Sequence, residues 1–140
     1  MGRRSTGRRM AMQVLYQADM RHMPVDQSLQ LFFEESEHPE STVKLTSALV
    51  RGVAANQPDL DKIVTDLSIG WDLDRLSTID RNLLRIGLYE LQHTDSPPKA
   101  VIAEIVDLAK DFSTEESPKF VNGILGQYMR NTCLLDSSKP

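Results

Sequence analysis

This sequence of 140 residues contains little cysteine, few aromatic residues and no long apolar run. Cys133 is the single cysteine, so no disulfide can form within one chain, which is typical of a reducing compartment such as the cytoplasm. No segment approaches the roughly 18 apolar residues of a membrane span, and the apolar stretch at residues 10–15 is too short for the core of a signal peptide. The sequence therefore predicts a soluble, cytoplasmic protein that does not contact a membrane.

Side chains arranged for catalysis or metal binding are also missing. The histidines are scattered along the chain at His22, His38 and His93. None of them has a second ligand at the spacing of a metal site, and no phosphate-binding loop, dinucleotide-binding glycine pattern or nucleophile elbow occurs. Glu34 and Glu35 could pair for acid–base chemistry, but they end a polar helix and indicate a solvated surface. The sequence predicts a protein that is not an enzyme and that uses no metal or cofactor.

Basic charge, in contrast, is concentrated at the start of the chain. The formal net charge is −4, and no acidic residue occurs before Asp19. Four arginines fall within seven positions, at Arg3, Arg4, Arg8 and Arg9. A cationic patch on an acidic chain is typical of contact with a polyanion, most simply nucleic acid. A solvated, frayed terminus is the alternative that charge alone leaves open.

The arginines continue directly into a helical pattern at residues 5–21, for which Ser5 or Thr6 is the predicted N-cap. Its apolar residues recur at i, i+3, i+4 and i+7 as Ala11, Val14, Leu15 and Ala18. At about 100° per residue, Arg9 and Tyr16 point away from this stripe, and Arg8 lies at its flank. The pattern thus predicts a helix with a core face inward and an arginine–tyrosine face outward.

Helical periodicity continues through the rest of the chain, and no segment alternates apolar and polar residues as a half-buried strand does. Start signals predict about seven helices, which begin near residues 5, 26, 41, 59, 79, 97 and 118. Pro58 breaks or kinks the chain between the third and the fourth. A linker at residues 68–74 joins an N-terminal half, residues 1–70, to a C-terminal half, residues 71–140. The prediction is a single all-α domain.

The helix that begins at Ile79 is apolar nearly all round, so it is predicted to be central or to have a second face for a partner. Ser77 and Asp80 have the spacing of a capping box, and Asp80 is predicted to point outward. Glu90 falls on an apolar face, where a carboxylate must be paired. An internal salt bridge is therefore predicted for Glu90.

Lys119 and Phe120 form a second candidate site in the first turn of the last helix. The unpaired N–H groups of a helix start favour phosphate, and an exposed Phe120 could stack on an unpaired base. The alternative is that Phe120 belongs to the core and Lys119 is solvated. Glu115 and Glu116 would repel phosphate. Periodicity alone favours the core alternative and leaves the binding interpretation open.

Four segments of the chain, in order, resemble the NusB family of bacterial transcription antitermination factors. They are residues 8–16 (RRMAMQVLY), 79–91 (IDRNLLRIGLYEL), 103–110 (AEIVDLAK) and 117–125 (SPKFVNGIL). The resemblance covers essentially the full length. Gly7 and Ala103 depart from it, since the family usually has alanine and asparagine there.

The resemblance implies a fold of two small helical bundles and binding of single-stranded boxA RNA in ribosomal RNA leader transcripts. It also implies a heterodimer with NusE, a small-subunit ribosomal protein, and entry into an antitermination complex on RNA polymerase. The implied RNA contacts are Arg3, Arg4, Arg8, Arg9, Tyr16, Lys119 and Phe120, with Glu116 near the strand. The implied NusE surface includes Asp74 and Asp80.

Two other functions remain open at this stage. A NusB-like domain also precedes the catalytic domain in some ribosomal RNA cytosine methyltransferases, although this chain contains no catalytic module. The other alternative is a helical homodimer with an incidental basic terminus. A homodimer could also cover the RNA-binding surface.

Overall fold

The computed structural model describes residues 3–68 and 76–137, and all regular secondary structure in these two ranges is α-helical. The helices are α1 (Arg3–Arg21), α2 (Val25–Glu34), α3 (Glu40–Leu67), α4 (Thr78–His93), α5 (Pro98–Phe112) and α6 (Ser117–Ser137). The all-α prediction is confirmed. Among these residues, no helix combines the length and the apolar character needed to cross a bilayer.

The described ranges contain six helices where about seven were predicted, because α3 runs without a break through Pro58. Proline removes one backbone hydrogen bond, here the bond that an N–H at position 58 would donate to Ala54. The helix continues because its two ends bury side chains in the same core. Val53, Leu60 and Val64 all have no exposed surface. The predicted boundary between the two halves falls in residues 69–75, outside the described residues, and stays a prediction.

Helix α4 is central, as its apolar character predicted, and packs against α1, α3, α5 and α6. Leu83, Leu84, Ile86 and Leu88 are fully buried. Burial of one such leucine or isoleucine side chain stabilises the fold by about 1.5–3 kcal/mol relative to an exposed position. These four side chains project in different directions from one helix, so α4 joins the surrounding helices into one hydrophobic core.

Helix α1 lies antiparallel to α4, which positions the arginine-rich start. Arg8 in the second turn of α1 contacts Glu90 near the end of α4, whereas Asp19 near the end of α1 contacts Asn82 near the start of α4. The predicted core stripe of α1 is confirmed, since Ala11, Val14, Leu15 and Ala18 are all at most 5% exposed.

Some helix starts differ from the sequence prediction by one or two residues. Helix α1 begins at Arg3 instead of after a Ser5 or Thr6 cap. Ser77 is the N-cap of α4, with its hydroxyl accepting from the Asp80 N–H at 3.0 Å, as predicted. Pro97 takes the N-cap position of α5, and Ser96 does not. Ser96 instead accepts a hydrogen bond from the Arg4 guanidinium, which ties the start of α1 to the start of α5.

Candidate nucleic-acid interface

Arg8 holds the start of α1 through a buried ion pair. Only 3% of the residue is exposed. Its Nε donates to Glu90 Oε2 at 2.5 Å and its Nη2 donates to Glu90 Oε1 at 3.0 Å, while Nη1 donates to Glu104 on α5. One guanidinium therefore joins α1, α4 and α5. The internal salt bridge that was predicted for Glu90 is confirmed.

The charge of Arg8 is maintained inside the protein by these two carboxylates. Burial by itself would lower the pKa of Arg8, but the hydrogen bonds and negative charges of Glu90 and Glu104 outweigh it and raise the pKa above its ordinary value. The sequence placed Arg8 at the flank of the core stripe, whereas the structure places it inside. Its proposed RNA contact stays a prediction, and its observed partners are Glu90 and Glu104.

The other arginines of α1 lie closer to solvent. Arg4 is exposed and, together with Ser41, Lys44 and Glu104, lines a groove between the starts of α1, α3 and α5, here called the arginine groove. Arg9 is half-buried. Arg3 begins α1, and its side chain lies outside the described residues. The structure therefore places the basic patch on an ordered helix, which argues against a frayed terminus.

Gly7 lets α1 approach α3 closely at this end of the molecule. A Cβ atom on Gly7 would lie 2.9 Å from Leu45 Cδ2 and 3.1 Å from Leu45 Cγ. The departure from the alanine that is usual in the family therefore accommodates Leu45. Glycine weakens a helix interior, but here the packing against α3 and the Arg8 ion pair hold the turn.

Tyr16 is half-buried and lies on a different groove, here called the tyrosine groove. Gln13, Ile79 and Phe112 also line it. Phe112 is 38% exposed, because it is the last residue of α5. The tyrosine groove lies at the junction of α1, α2, α4 and α5, and three aromatic rings line it, those of Tyr16, Phe32 and Phe112.

Asp80 is buried, which corrects the prediction that it points outward. It is 7% exposed and accepts hydrogen bonds from Ser113 Oγ and Ser117 Oγ, both at 2.8 Å. The start of α6 packs over the start of α4. The Asp80 carboxylate therefore accepts hydrogen bonds from hydroxyl groups at the connection between α5 and α6. Asp74, the other residue assigned to a NusE surface, lies outside the described residues.

The start of α6 lines a third groove together with the end of α3, here called the Phe120 groove. Lys119, Glu115 and Glu116 are exposed, and Phe120 is half-buried against the core. Phe120 therefore agrees in part with both predictions, the core residue and the exposed stacking surface. Part of its ring packs against the core, and the rest lines the groove. The groove has a volume of about 1060 Å³.

The starts of α1 and α6, to which the resemblance assigns RNA contacts, contact opposite ends of α4. Arg8 contacts Glu90, whereas Ser117 contacts Asp80, ten positions earlier. At 1.5 Å per residue these contacts are about 15 Å apart along α4. Tyr16 lies nearer the α6 start, because its groove includes Ile79 and Phe112, the neighbours of Asp80 and Ser113. The predicted residues therefore line three different grooves, with Arg4 and Arg8 on the arginine groove, Tyr16 on the tyrosine groove, and Lys119 and Phe120 on the Phe120 groove.

The described residues contain no group of three or more His, Cys, Asp or Glu side chains that could hold a metal ion. The three grooves contain cations, aromatic rings and amides, which are groups that contact phosphates and bases, and they also contain carboxylates such as Glu104 and Glu116.

Comparison with known proteins assigns the chain to one family. The model of the NusB family matches residues 5–130 of the chain. The chain belongs to the NusB family. The resemblance that four short segments predicted is confirmed over most of the chain.

Relatives within the NusB family cover the same length. The chain is 43% identical to the transcription antitermination protein NusB of Nocardioides sp. over 132 residues, which are 94% of this chain and 96% of that protein. It is 40% identical to the protein of the same name from Streptomyces coelicolor, covering 91% and 92% of the two chains.

Solved structures with the same fold match this chain over most of its length. One matching chain, from the crystal structure of a plectonemic RNA supercoil, has a TM-score of 0.88 at 30% identity and covers 95% of this chain and 98% of that one. Another comes from a crystal structure of antitermination factors NusB and NusE in complex with double-stranded RNA, with a TM-score of 0.82 at 30% identity, covering 91% and 96%.

Sequence reasoning missed two buried arginines that hold this NusB-family fold together. Arg8 stands three residues before Ala11 and seven before Leu15, so its place on the core stripe was a signal that could have revealed its burial. Arg85 is 4% exposed and contacts Asp61 of α3 through two hydrogen bonds of 2.7 and 3.0 Å. No sequence pattern distinguishes Arg85 from a solvated arginine, because its partner is 24 residues away.

Proposed function

We propose that the protein is an RNA-binding transcription antitermination factor. It binds boxA-type single-stranded RNA of ribosomal RNA leader transcripts together with NusE and helps RNA polymerase resist termination. The family, the names of the relatives and a structural neighbour that contains NusB, NusE and RNA support this proposal. The protein acts in the cytoplasm and catalyses no reaction.

The ordered start of α1 is the observation that carries the proposal. Arg4 is exposed while the same helical segment is fixed by the Arg8 ion pair and by the hydrogen bond from Arg4 to Ser96. A cationic surface that is already ordered loses little conformational entropy when it binds a polyanion. Arg8 acts in this proposal as a positioning residue that keeps the neighbouring cations in place.

RNA contacts divide into phosphate-binding and base-stacking groups. Arg3, Arg4, Arg9 and Lys119 neutralise phosphates, and Tyr16 and Phe120 present aromatic faces to unpaired bases, with Glu116 beside the strand. Cation contacts make affinity fall with salt, and each stacked base contributes about 1–3 kcal/mol.

NusE docks on the surface that includes Asp74 and the start of α4. Asp80 contributes to this surface indirectly, because its carboxylate anchors Ser113 and Ser117. Loss of that carboxylate would release the connection between α5 and α6 and so change the shape of the neighbouring surface.

Anisotropy of a labelled single-stranded boxA RNA tests the proposal. We expect the logarithm of the association constant to fall linearly with the logarithm of salt concentration. Each phosphate contact contributes a slope of about 0.7 on single strands, so Arg9→Gln should lower the slope by close to that amount. Adding NusE should raise the affinity.

Arg51→Gln is the matched control, since Arg51 is an exposed arginine of α3 whose Nε contacts Asp26 at 3.0 Å. This substitution also removes one positive charge, but at a position outside the arginine groove. It should therefore leave the slope of affinity against salt unchanged. Equal slopes for wild type, Arg9→Gln and Arg51→Gln would contradict the role of the basic patch, and absence of RNA binding with and without NusE would overturn the proposed function.

A homodimer is the second candidate, favoured by exposed apolar side chains on the tyrosine groove. Leu31 and Phe112 are 40% and 38% exposed there. Sedimentation with and without RNA distinguishes the two functions. Competition between self-association and RNA favours a regulated antitermination factor, whereas a dimer that is indifferent to RNA favours a scaffold.

A further inference from the structure

Glu104 of α5 is a second carboxylate on a guanidinium that already has one. Glu90 accepts hydrogen bonds from Nε and Nη2 of Arg8 in the interior, and the Glu90 side chain is only 4% exposed. One carboxylate balances the charge of one guanidinium, so the buried pair of Arg8 and Glu90 is complete without Glu104. The addition of Glu104 leaves the cluster with an excess negative charge.

Glu104 differs from Glu90 in its access to solvent. Its side chain is 33% exposed and lines the arginine groove. There it accepts a hydrogen bond from Arg8 Nη1 and, at 2.6 Å, one from Ser5 Oγ. Because Glu104 already borders the groove, rotation of its side chain is sufficient to take the carboxylate out of the ion pair. Nη1 of Arg8, which lines the same groove, then becomes available to another anion.

The donors that hold Glu104 are those that bind a phosphate. A guanidinium N–H and a hydroxyl meet at one carboxylate, and the exposed guanidinium of Arg4 lines the same groove. Carboxylate and phosphate oxygens accept the same charge-assisted hydrogen bonds from arginine, so the two anions compete for one position. The arginine groove thus contains an anion site that the chain fills with its own carboxylate.

We infer that Glu104 is a specificity-determining residue, which a phosphate of the RNA backbone displaces from Arg8 and Ser5. The inference rests on the proposed RNA-binding function and adds a competing anion to it. A free phosphate ion gains only this one site and must displace Glu104 to occupy it. An RNA strand contacts other cations at the same time and so overcomes the competition. The groove therefore favours polyanions over small anions.

Glu104→Gln tests the competition, since glutamine has nearly the same shape and carries no charge. Affinity for labelled single-stranded boxA RNA should rise about tenfold, because no carboxylate competes for Arg8. The plot of the logarithm of affinity against that of salt concentration should become steeper by about 0.7, the contribution of one phosphate contact on a single strand. The steeper slope is expected because an expelled carboxylate no longer offsets the charge of Arg8.

Inorganic phosphate gives a second readout that requires no RNA. A ligand that binds only the folded protein raises its Tm. When phosphate replaces chloride at equal ionic strength, the Tm of Glu104→Gln should rise by about 2–4 °C more than that of the wild type. The difference is expected because Glu104 fills the anion site of the wild type.

Asp107→Asn is the matched control, because it removes one carboxylate from the same helix, three residues further on. Asp107 is exposed, contacts Lys110 at 3.9 Å and lines none of the three grooves. Its RNA affinity, salt slope and response to phosphate should equal those of the wild type. An equal gain of RNA affinity in Asp107→Asn and Glu104→Gln would mean that net charge alone sets affinity, and would overturn the inference.

The outcomes separate this inference from the proposed function. If the wild type binds RNA with the expected salt slope and Glu104→Gln binds it no more tightly, the competition is absent and the function stands. If phosphate raises the Tm of the wild type as much as that of Glu104→Gln, the anion site is open without displacement and the inference is overturned. If Glu104→Gln lowers both the Tm and the RNA affinity, Glu104 holds the structure of the groove and the inference is overturned. If neither protein binds RNA, the function and the inference are both overturned.

Discussion

At the scale of single residues, charge burial fixes the geometry of the candidate site. Arg8 is 3% exposed, and Glu90 is equally buried. In the interior, each side chain provides the opposite charge and the hydrogen bonds that the other requires. Desolvation of two charges offsets much of their attraction, and the pair therefore adds little net stability as a unit. Removal of one partner is different, because it leaves the other charge buried alone.

Arg8→Met should destabilise the protein by about 3–5 kcal/mol, since Glu90 loses both of its hydrogen bonds to the guanidinium. Urea unfolding followed by far-UV circular dichroism measures this. The double variant Arg8→Met, Glu90→Leu should recover most of the loss, because no buried charge remains. A single variant within 1 kcal/mol of wild type would show that the ion pair does not hold α1.

Gly52→Ala should also destabilise the protein, by about 1–3 kcal/mol, despite the better helix propensity of alanine. A Cβ atom there would lie 2.2 Å from Tyr89 Cζ, and the ring would have to leave its contact with His93. The control is Tyr89→Leu, which removes the obstructing ring. Thermal unfolding should show that Gly52→Ala costs much less in that background, and equal costs in both backgrounds would contradict the packing argument.

At the scale of elements, α3 shows how tertiary packing overrides a local signal. Its 28 residues include Pro58, whose ring and missing N–H disfavour a helix interior. Buried residues on both sides of Pro58 nevertheless pack against a common core, and the backbone follows them. Packing of both sides of Pro58 against the core thus keeps α3 continuous, although one backbone hydrogen bond is missing at the proline.

Pro58→Ala should stabilise the protein by about 1–2 kcal/mol. Alanine restores one helical hydrogen bond and removes the steric conflict, while the more flexible unfolded chain offsets part of the gain. Calorimetry should record a higher Tm with unchanged RNA affinity. A lower Tm would mean that the helix around residue 58 requires the proline geometry.

At the scale of the whole molecule, one hydrophobic core includes buried side chains from both predicted halves. Leu15 and Val53 belong to the same cluster as Ile86, Ile105 and Leu125. Arg85 adds a polar connection, because its guanidinium contacts Asp61 of α3 and Asp19 of α1. Two halves that share a core and buried ion pairs should not unfold independently.

Heat should therefore unfold the protein in one cooperative transition, with equal calorimetric and van't Hoff enthalpies. Residues 1–68 expressed alone should not fold, because they would expose the apolar faces that α4 covers. Two resolved transitions, or a folded N-terminal half, would show instead that the halves are separate domains.

Most of the fold could be predicted from sequence because it depends on local periodicity. The stripe of α1 and the all-round apolar character of α4 were sufficient to place Leu15 in the core and α4 at the centre. The site was predicted less well. Arg8 and Asp80 are polar residues whose burial depends on partners far along the chain, and Phe120 divides its ring between core and surface.

The sequence by itself determined the helical class, the central helix, the need of Glu90 for a partner and the family, because each follows from residue types at short spacings. Only the tertiary structure decided which arginine is buried, that Asp80 anchors Ser113 and Ser117, and that the two candidate helix starts contact opposite ends of α4. These outcomes depend on contacts between residues that are distant in sequence, and a periodic pattern carries no information about which distant side chains meet.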